Sequence, residues 1–155
     1  MKLNKFQIAI IIGILVVALV AFLDIRGVDL IGYDKYTKGD FPQSVWINHL
    51  WTAILIFLIP AVCYFVFYRK DKSEAFAIFL ISFILLWTGF ADVLYFWFQG
   101  KTVPLTLPWL SKNPIIGKLS LILGDYQVTR NTLYISTIAG FIIAISLAYI
   151  LKKKF

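Results

Sequence analysis

Four long apolar runs alternate with polar connections along the chain. They cover residues 6–23, 45–68, 75–98 and 132–151, and each is long enough to cross about 30 Å of hydrocarbon as an α-helix. Runs of this length with few charges are typical of transmembrane helices. The pattern therefore predicts one all-α integral membrane domain, residues 1–155, arranged as a four-span antiparallel helical bundle.

The second long connection contains a shorter helical signal. Asn113 is a favourable N-cap residue, and Pro114 follows it at a position that suits the first helical turn. Residues 114–123 are therefore predicted to form a short helix. Its apolar face would consist of Ile115, Leu119 and Ile122, which recur at helical spacing. This helix is too short to span a membrane, so we expect it to lie in the outer interface or to fold back over the bundle.

The distribution of basic residues predicts the orientation of the chain. Eight of the 15 Lys and Arg residues lie in short segments at the two termini and around residues 69–74, and the other seven are spread through the long connections 24–44 and 99–131. Positive charge is concentrated in short cytoplasmic segments of membrane proteins. We therefore expect both termini in the cytoplasm and both long loops on the extracytoplasmic side of the cell membrane.

Composition narrows the classes of function. Apolar residues make up 61% of the chain and charged residues 15%, which argues against a water-soluble enzyme or a disordered protein. The formal charge of +7 arises at the ends of apolar runs, where it favours lipid headgroups over nucleic acid as a partner. One Cys and one His exclude a disulfide, a cysteine-based zinc site or bis-histidine haem within one chain. No cofactor is expected.

Polar residues are concentrated at the outer ends of the predicted spans. Asp92 lies about six residues before the end of the third run, where a carboxylate is costly unless it faces protein or water. Thr88 and Tyr95 share its face if the run is one continuous helix. The other segments bring to the same level Asp24, Asn48, His49, Trp51, Thr52, Asn131, Tyr134 and, from the loop, Trp109. The sequence thus predicts a polar mouth above an apolar base.

Three interpretations of this mouth remain open. The polar groups can form a hydrogen-bonded network that ties the helices together. They can instead line an outward-facing pocket for a hydrophobic or lipid-like ligand, with Asp92 and His49 as a catalytic acid–base pair. The ligand-binding residues would then be Thr88, Tyr95, Asn48, Thr52, Asn131, Tyr134, Trp51 and Trp109. The third interpretation is a metal site formed by Asp24, His49 and Asp92, although the spacing of these residues does not require a metal.

Residues 89–96, with the sequence GFADVLYF, resemble the third-helix motif of the EXPERA superfamily, which includes the emopamil-binding sterol isomerases. Residues 36–40 and the pair Pro60 and Tyr64 resemble segments near the second helix of that family. The resemblance implies a four-helix membrane domain with cytoplasmic ends. It also implies that Asp92 and Tyr95 contact a sterol-like ligand.

The chain departs from this family at its catalytic positions. Trp51 stands where the family has a catalytic acidic residue in the second helix, and residues 6–23 contain neither the His nor the Glu of the family's first helix. The resemblance therefore does not extend to sterol isomerisation, and the sequence leaves open whether the protein is an enzyme.

A function of another class fits the same pattern. The apolar loop 103–123 and the aromatic helix faces suit an accessory subunit of a larger membrane complex, without catalysis of its own. The expected partners are membrane lipids together with other membrane subunits or a second copy of the chain. A small transporter fits less well, because charged groups do not continue through the inner half of the predicted spans.

Overall fold

Helices dominate the protein. The structure is a computed structural model that describes residues 5–31, 43–69 and 72–154. Within these ranges the regular elements are helical, apart from one isolated antiparallel β-bridge between Thr106 and Thr129. The all-α class predicted from the apolar runs is therefore confirmed.

The helices in chain order are α1 (Lys5–Ile31), α2 (Gln43–Cys63), α3 (Lys72–Trp87), α4 (Phe90–Phe98), α5 (Ile116–Ile122) and α6 (Arg130–Lys154). A π-helical turn, Tyr64–Arg69, extends α2, and a 3-10 helix, Pro108–Lys112, precedes α5. Helix α3 has a central position, because it packs against α1, α2 and α6.

Among the residues that the structure describes, two helices are long and apolar enough to cross a membrane. Their apolar windows are Phe6–Ile25 in α1 and Arg130–Leu151 in α6, and a third crossing is added if α3 and α4 count as one bent span. The protein is therefore a membrane protein with two to three candidate spans. The first and fourth predicted runs, 6–23 and 132–151, agree with the apolar windows of α1 and α6 to within two residues.

The third predicted run is not a continuous helix. Helices α3 and α4 are separated by Thr88 and Gly89, and their axes differ in direction by 71°. Gly89 has φ +88°, a left-handed conformation that glycine adopts without a steric penalty and that commonly ends helices. Residues 75–98 therefore do not form one continuous helix, although α3 and α4 together can still count as one bent span.

The second predicted run, 45–68, is helical throughout but is not counted among the crossing helices. Its apolar part with described side chains is Ile54–Phe67. Pro60 lies inside α2, and the π-helical turn begins four residues later. A fourth span stays a prediction. The basic segment 69–74 lies partly outside the described residues.

The main cluster of buried side chains lies among α1, α2, α3 and α6 and is made largely of small and aliphatic residues. Gly13 of α1 approaches α3 so closely that an added Cβ would lie 2.8 Å from Ile81 Cγ2. Gly140 of α6 similarly faces Thr88. Close approach through small residues is how helices pack where lipid surrounds them.

The second long connection, residues 99–129, forms a folded unit that we call the cap. The cap cluster joins it to α4 and α6, and consists of Tyr95, Phe96, Val103, Leu107, Trp109, Leu110, Ile116, Val128 and Leu133. Helix α5 lies within the predicted range 114–123. Its predicted apolar face is mostly exposed, with Ile115 44% and Ile122 79% exposed, whereas Ile116 and Ser120 are the buried positions; the face therefore does not fold back over the bundle.

Candidate functional site

The break between α3 and α4 leaves main-chain carbonyls without helical partners, and side chains from other elements bind them. Asn113 Nδ2 donates to the carbonyl of Trp87 at 3.2 Å, and Thr137 Oγ1 of α6 donates to the carbonyl of Thr88 at 3.2 Å. Buried carbonyls need such partners. The break is therefore a stable feature of the fold, supported from the cap and from α6.

Asn113 supports two elements with one carboxamide. While its Nδ2 reaches α3, its Oδ1 accepts hydrogen bonds from the backbone N–H groups of Ile115 and Ile116 at 2.9 and 3.1 Å. These bonds satisfy donors at the start of α5. The sequence predicted Asn113 as the N-cap. In the structure the N-cap is Ile115 and the helix begins at Ile116, while the Asn113 side chain binds the N–H groups at that start.

Asp92 connects α4 to the cap. It lies in the first turn of α4, where a carboxylate is favoured by the helix dipole, and is half-buried. The indole Nε1 of Trp109 donates to its Oδ1 at 3.1 Å. Trp109 is 4% exposed and belongs to the cap cluster. Asp92 thus lies at the junction of the broken helix and the cap, with a nearly fully buried aromatic partner.

The break changes the surroundings of the residues predicted on the Asp92 face. Thr88 precedes the bend, is buried, and donates its hydroxyl to the carbonyl of Ile84 at 2.8 Å. Tyr95 follows the bend and packs edge-on against Phe96, with the ring centroids 5.1 Å apart. The predicted continuous helical face is therefore divided between α3 and α4.

The remaining predicted ligand-binding residues fall into two groups. Thr52, Asn131 and Tyr134 have exposed side chains, with Tyr134 39% exposed. Asn48, His49 and Trp51 lie in α2, outside the residues whose side chains the structure describes. The proximity of His49 to Asp92 stays a prediction for this reason, and so does their acid–base pairing.

The metal hypothesis likewise depends on His49. Among the side chains that the structure describes, no group of three or more His, Cys, Asp or Glu residues is close enough to hold an ion. Asp24 is half-buried near the end of the apolar window of α1. A site formed by Asp24, His49 and Asp92 is thus left untested.

Two polar residues have roles that sequence reasoning missed. Thr137 lies in the last apolar run, and its hydrogen bond to the Thr88 carbonyl was not predicted. Glu74 ends the segment 69–74, which the sequence marks by its basic residues, and it is fully buried in the first turn of α3. Its place next to a polar segment gave no signal of burial.

A second carboxylate on the same side of the molecule differs in its donors. Asp125 Oδ2 accepts hydrogen bonds from the hydroxyls of Thr129 and Thr132, each at 3.1 Å. Thr129 Oγ1 also accepts the backbone N–H of Thr132 at 3.2 Å. Asp125 therefore stabilises the start of α6 as a helix-capping group. A substitution at Asp125 can serve as the control for the same substitution at Asp92.

Comparisons with known proteins give no relative for this arrangement. A scan against family models, a search of curated proteins and a search of solved structures each found no match. The argument for function therefore depends on the chemistry of the junction itself.

Proposed function

We propose that the protein binds a hydrophobic or lipid-like molecule in the membrane, at the junction between the bent third segment and the cap. Asp92 is the polar group of this site and Trp109 orients it. The molecule enters from the cap side, which is extracytoplasmic in the proposed four-span arrangement. If the side chain of His49 faces Asp92, the pair can exchange a proton near neutral pH.

The observation that carries this proposal is the environment of Asp92. A carboxylate within a membrane-crossing segment is costly, and such residues usually mark functional sites. Asp92 is half-buried and accepts a hydrogen bond from the indole N–H of Trp109. It follows a bend whose carbonyls are bound by Asn113 and Thr137. Interrupted helices with satisfied carbonyls are typical of membrane proteins in which backbone or polar groups line a site.

Substitution of Asp92 tests the proposal. Asp92→Asn retains an oxygen that accepts the Trp109 N–H, so its cost in stability should be about 0.6 kcal/mol or less. Asp92→Leu removes the oxygen that accepts the hydrogen bond of the buried Trp109 indole, and losing this bond should cost about 1–3 kcal/mol. Both variants should lose a co-purifying amphiphile that native mass spectrometry detects on the wild type. Melting temperatures in detergent measure the stability of each variant.

Asp125→Asn is the matched control, because its carboxylate caps α6 and is not part of the proposed site. It should retain, at wild-type occupancy, the amphiphile that Asp92→Asn loses; lipids bound in the cleft that Asp125 shares with Lys112 and Lys118 are scored separately. If the wild type, Asp92→Asn and Asp125→Asn carry the same bound molecules, Asp92 serves only to tie the helices to the cap and the proposal is wrong.

A second candidate is an accessory subunit of a membrane complex. The observation in its favour is the exposure of large apolar side chains at the cap end of the molecule, including Leu105 at 73% and Trp97 at 70%. Exposed apolar patches on membrane proteins also contact lipid, so this function needs a stoichiometric partner. Cross-linking in intact membranes from Thr106→Cys, followed by mass spectrometry, would identify one.

The proposed orientation has its own test. In a Cys63→Ser background, cysteines at Ser73 and Ser111 report on opposite ends of the molecule. An impermeant thiol reagent applied to intact cells should label Ser111→Cys in the cap and leave Ser73→Cys protected. Labelling of Ser73→Cys alone would reverse the orientation.

A further inference from the structure

The tip of the cap presents apolar side chains to its surroundings. Leu121, Ile122 and Leu123 at the end of α5 are 68%, 79% and 49% exposed, and Tyr126 is 100% exposed. These residues are close in sequence and form the end of one short helix and the turn that follows it. A cluster of this kind is unfavourable in water and requires an apolar environment.

A cleft lies directly beside this tip, between the 3-10 helix and α5. Its volume is about 370 Å³, and its lining includes Lys112, Lys118, Ser111, Leu121, Tyr126 and Asp125. Two lysines thus share one cavity with two of the exposed apolar residues. Asp125 is the acidic member of the lining, and its Oδ2 already accepts two threonine hydroxyls.

The tip is fixed to the beginning of a candidate span. Ser120 Oγ donates to the carbonyl of Gln127 at 2.9 Å, and Asp125 is held by Thr132 in the first turn of α6. The apolar window of α6 begins at Arg130. Because Tyr126 is only four residues before Arg130, the tip lies close to the level at which the apolar span meets the lipid headgroups.

From this arrangement we infer that the cap tip binds an anionic phospholipid of the leaflet next to the cap. Lys112 and Lys118 bind the phosphate of the headgroup in the cleft, while Leu121, Ile122 and Tyr126 contact the acyl chains. Basic residues flanking an apolar face are the pattern by which short helices bind the surface of a charged leaflet. This site is separate from Asp92, and the inference does not depend on the proposed function.

The first test measures whether the apolar side chains of the cap tip lie in the bilayer. In a Cys63→Ser background, Ile122→Cys carries an environment-sensitive nitrobenzoxadiazole label, and Thr102→Cys, an exposed cap residue outside the tip, carries the same label as the control. In nanodiscs with nitroxide-labelled acyl chains, the label at Ile122 should be quenched and that at Thr102 should not. Equal exposure of both labels to water would overturn the inference and would leave the tip for a protein partner.

The second test measures whether Lys112 and Lys118 select an anionic headgroup. Nanodiscs of equal phosphatidylglycerol and phosphatidylcholine are dissolved, and native mass spectrometry compares the two lipids that remain bound. Phosphatidylglycerol should be enriched on the wild type, and the enrichment should fall on the order of fivefold for each lysine replaced in Lys112→Gln and Lys118→Gln. Lys101→Gln is the control, because Lys101 Nζ donates to Gln99 outside the cleft. If the variant that carries both Lys112→Gln and Lys118→Gln binds the two lipids in the same ratio as Lys101→Gln, the inference is wrong.

Discussion

The main cluster and the cap cluster are stabilised in different ways. In the main cluster, small residues bring helices together, as where Gly13 meets Ile81 and Gly140 meets Thr88. The cap cluster is richer in aromatic side chains. Around it, Asn113 and Ser120 bind main-chain groups of irregular backbone.

The difference follows from the solvent around each region. Between helices in lipid the hydrophobic effect contributes little, so contact distance determines the attraction. The cap has little regular structure, and its buried N–H and carbonyl groups need partners that a helix would otherwise supply. We therefore expect a single added methyl group to damage the main cluster, and a single lost hydrogen-bonding side chain to damage the cap.

Gly140→Ala should have the largest effect. The added Cβ would overlap the Thr88 side chain and lie 2.7 Å from Thr88 Cβ, an atom that cannot move without its backbone. Overpacking of this kind costs about 3 kcal/mol. Thermal unfolding in detergent, followed by circular dichroism, measures the loss.

The same substitution in the cap provides the comparison. A Cβ added at Gly124 meets no atom within 4 Å, and only its φ of +83° opposes alanine, at a cost of about 1 kcal/mol. Equal losses of stability in Gly124→Ala and Gly140→Ala would show that close helix contact is not what stabilises the main cluster.

Asn113→Ala should have a smaller and more local effect. It removes the bonds to the Trp87 carbonyl and to the N–H groups of Ile115 and Ile116, at a cost of about 2 kcal/mol. Hydrogen exchange should become faster in α5 and the 3-10 helix, while exchange in α1 stays unchanged because local opening does not require global unfolding.

Ser111→Ala is the control for the cap. Its exposed hydroxyl donates only to the nearby Pro108 carbonyl at 2.8 Å, so exchange in α5 should stay close to that of the wild type. Faster exchange throughout α1 in Asn113→Ala would contradict the separation between the two regions.

The sequence was most informative where one property determines the element. Length and apolarity alone predict α1 and α6, because a crossing helix satisfies its own backbone and needs no distant partner. The hydrogen bonds of Asn113 to the start of α5 were also predictable, since this side chain acts on the next few residues of the chain. These are local effects, and a single sequence displays them directly.

The bend and the site depend on contacts between distant residues. Gly89 inside an apolar run was a local signal for a break, but the periodic pattern on either side favoured a continuous helix. Trp109 binds Asp92 across 17 positions, and Thr137 binds Thr88 across 49. Helical spacing cannot reveal such pairs. It also left open whether the apolar face of α5 would be buried, and Ile122 on that face is exposed.

The bend also limits the hydrophobic thickness of the bilayer that fits the protein. Helix α3 has 16 residues before the direction changes, which corresponds to a rise of about 24 Å. The apolar windows of α1 and α6, with 20 and 22 residues, correspond to about 30 and 33 Å. In the proposed four-span arrangement, in which α3 enters the bilayer, hydrophobic mismatch of several ångströms would occur within one molecule, and the bilayer next to α3 would have to thin to meet Trp87. Such deformation costs fractions of a kcal/mol per ångström, so the protein should partition into the thinner regions of its membrane.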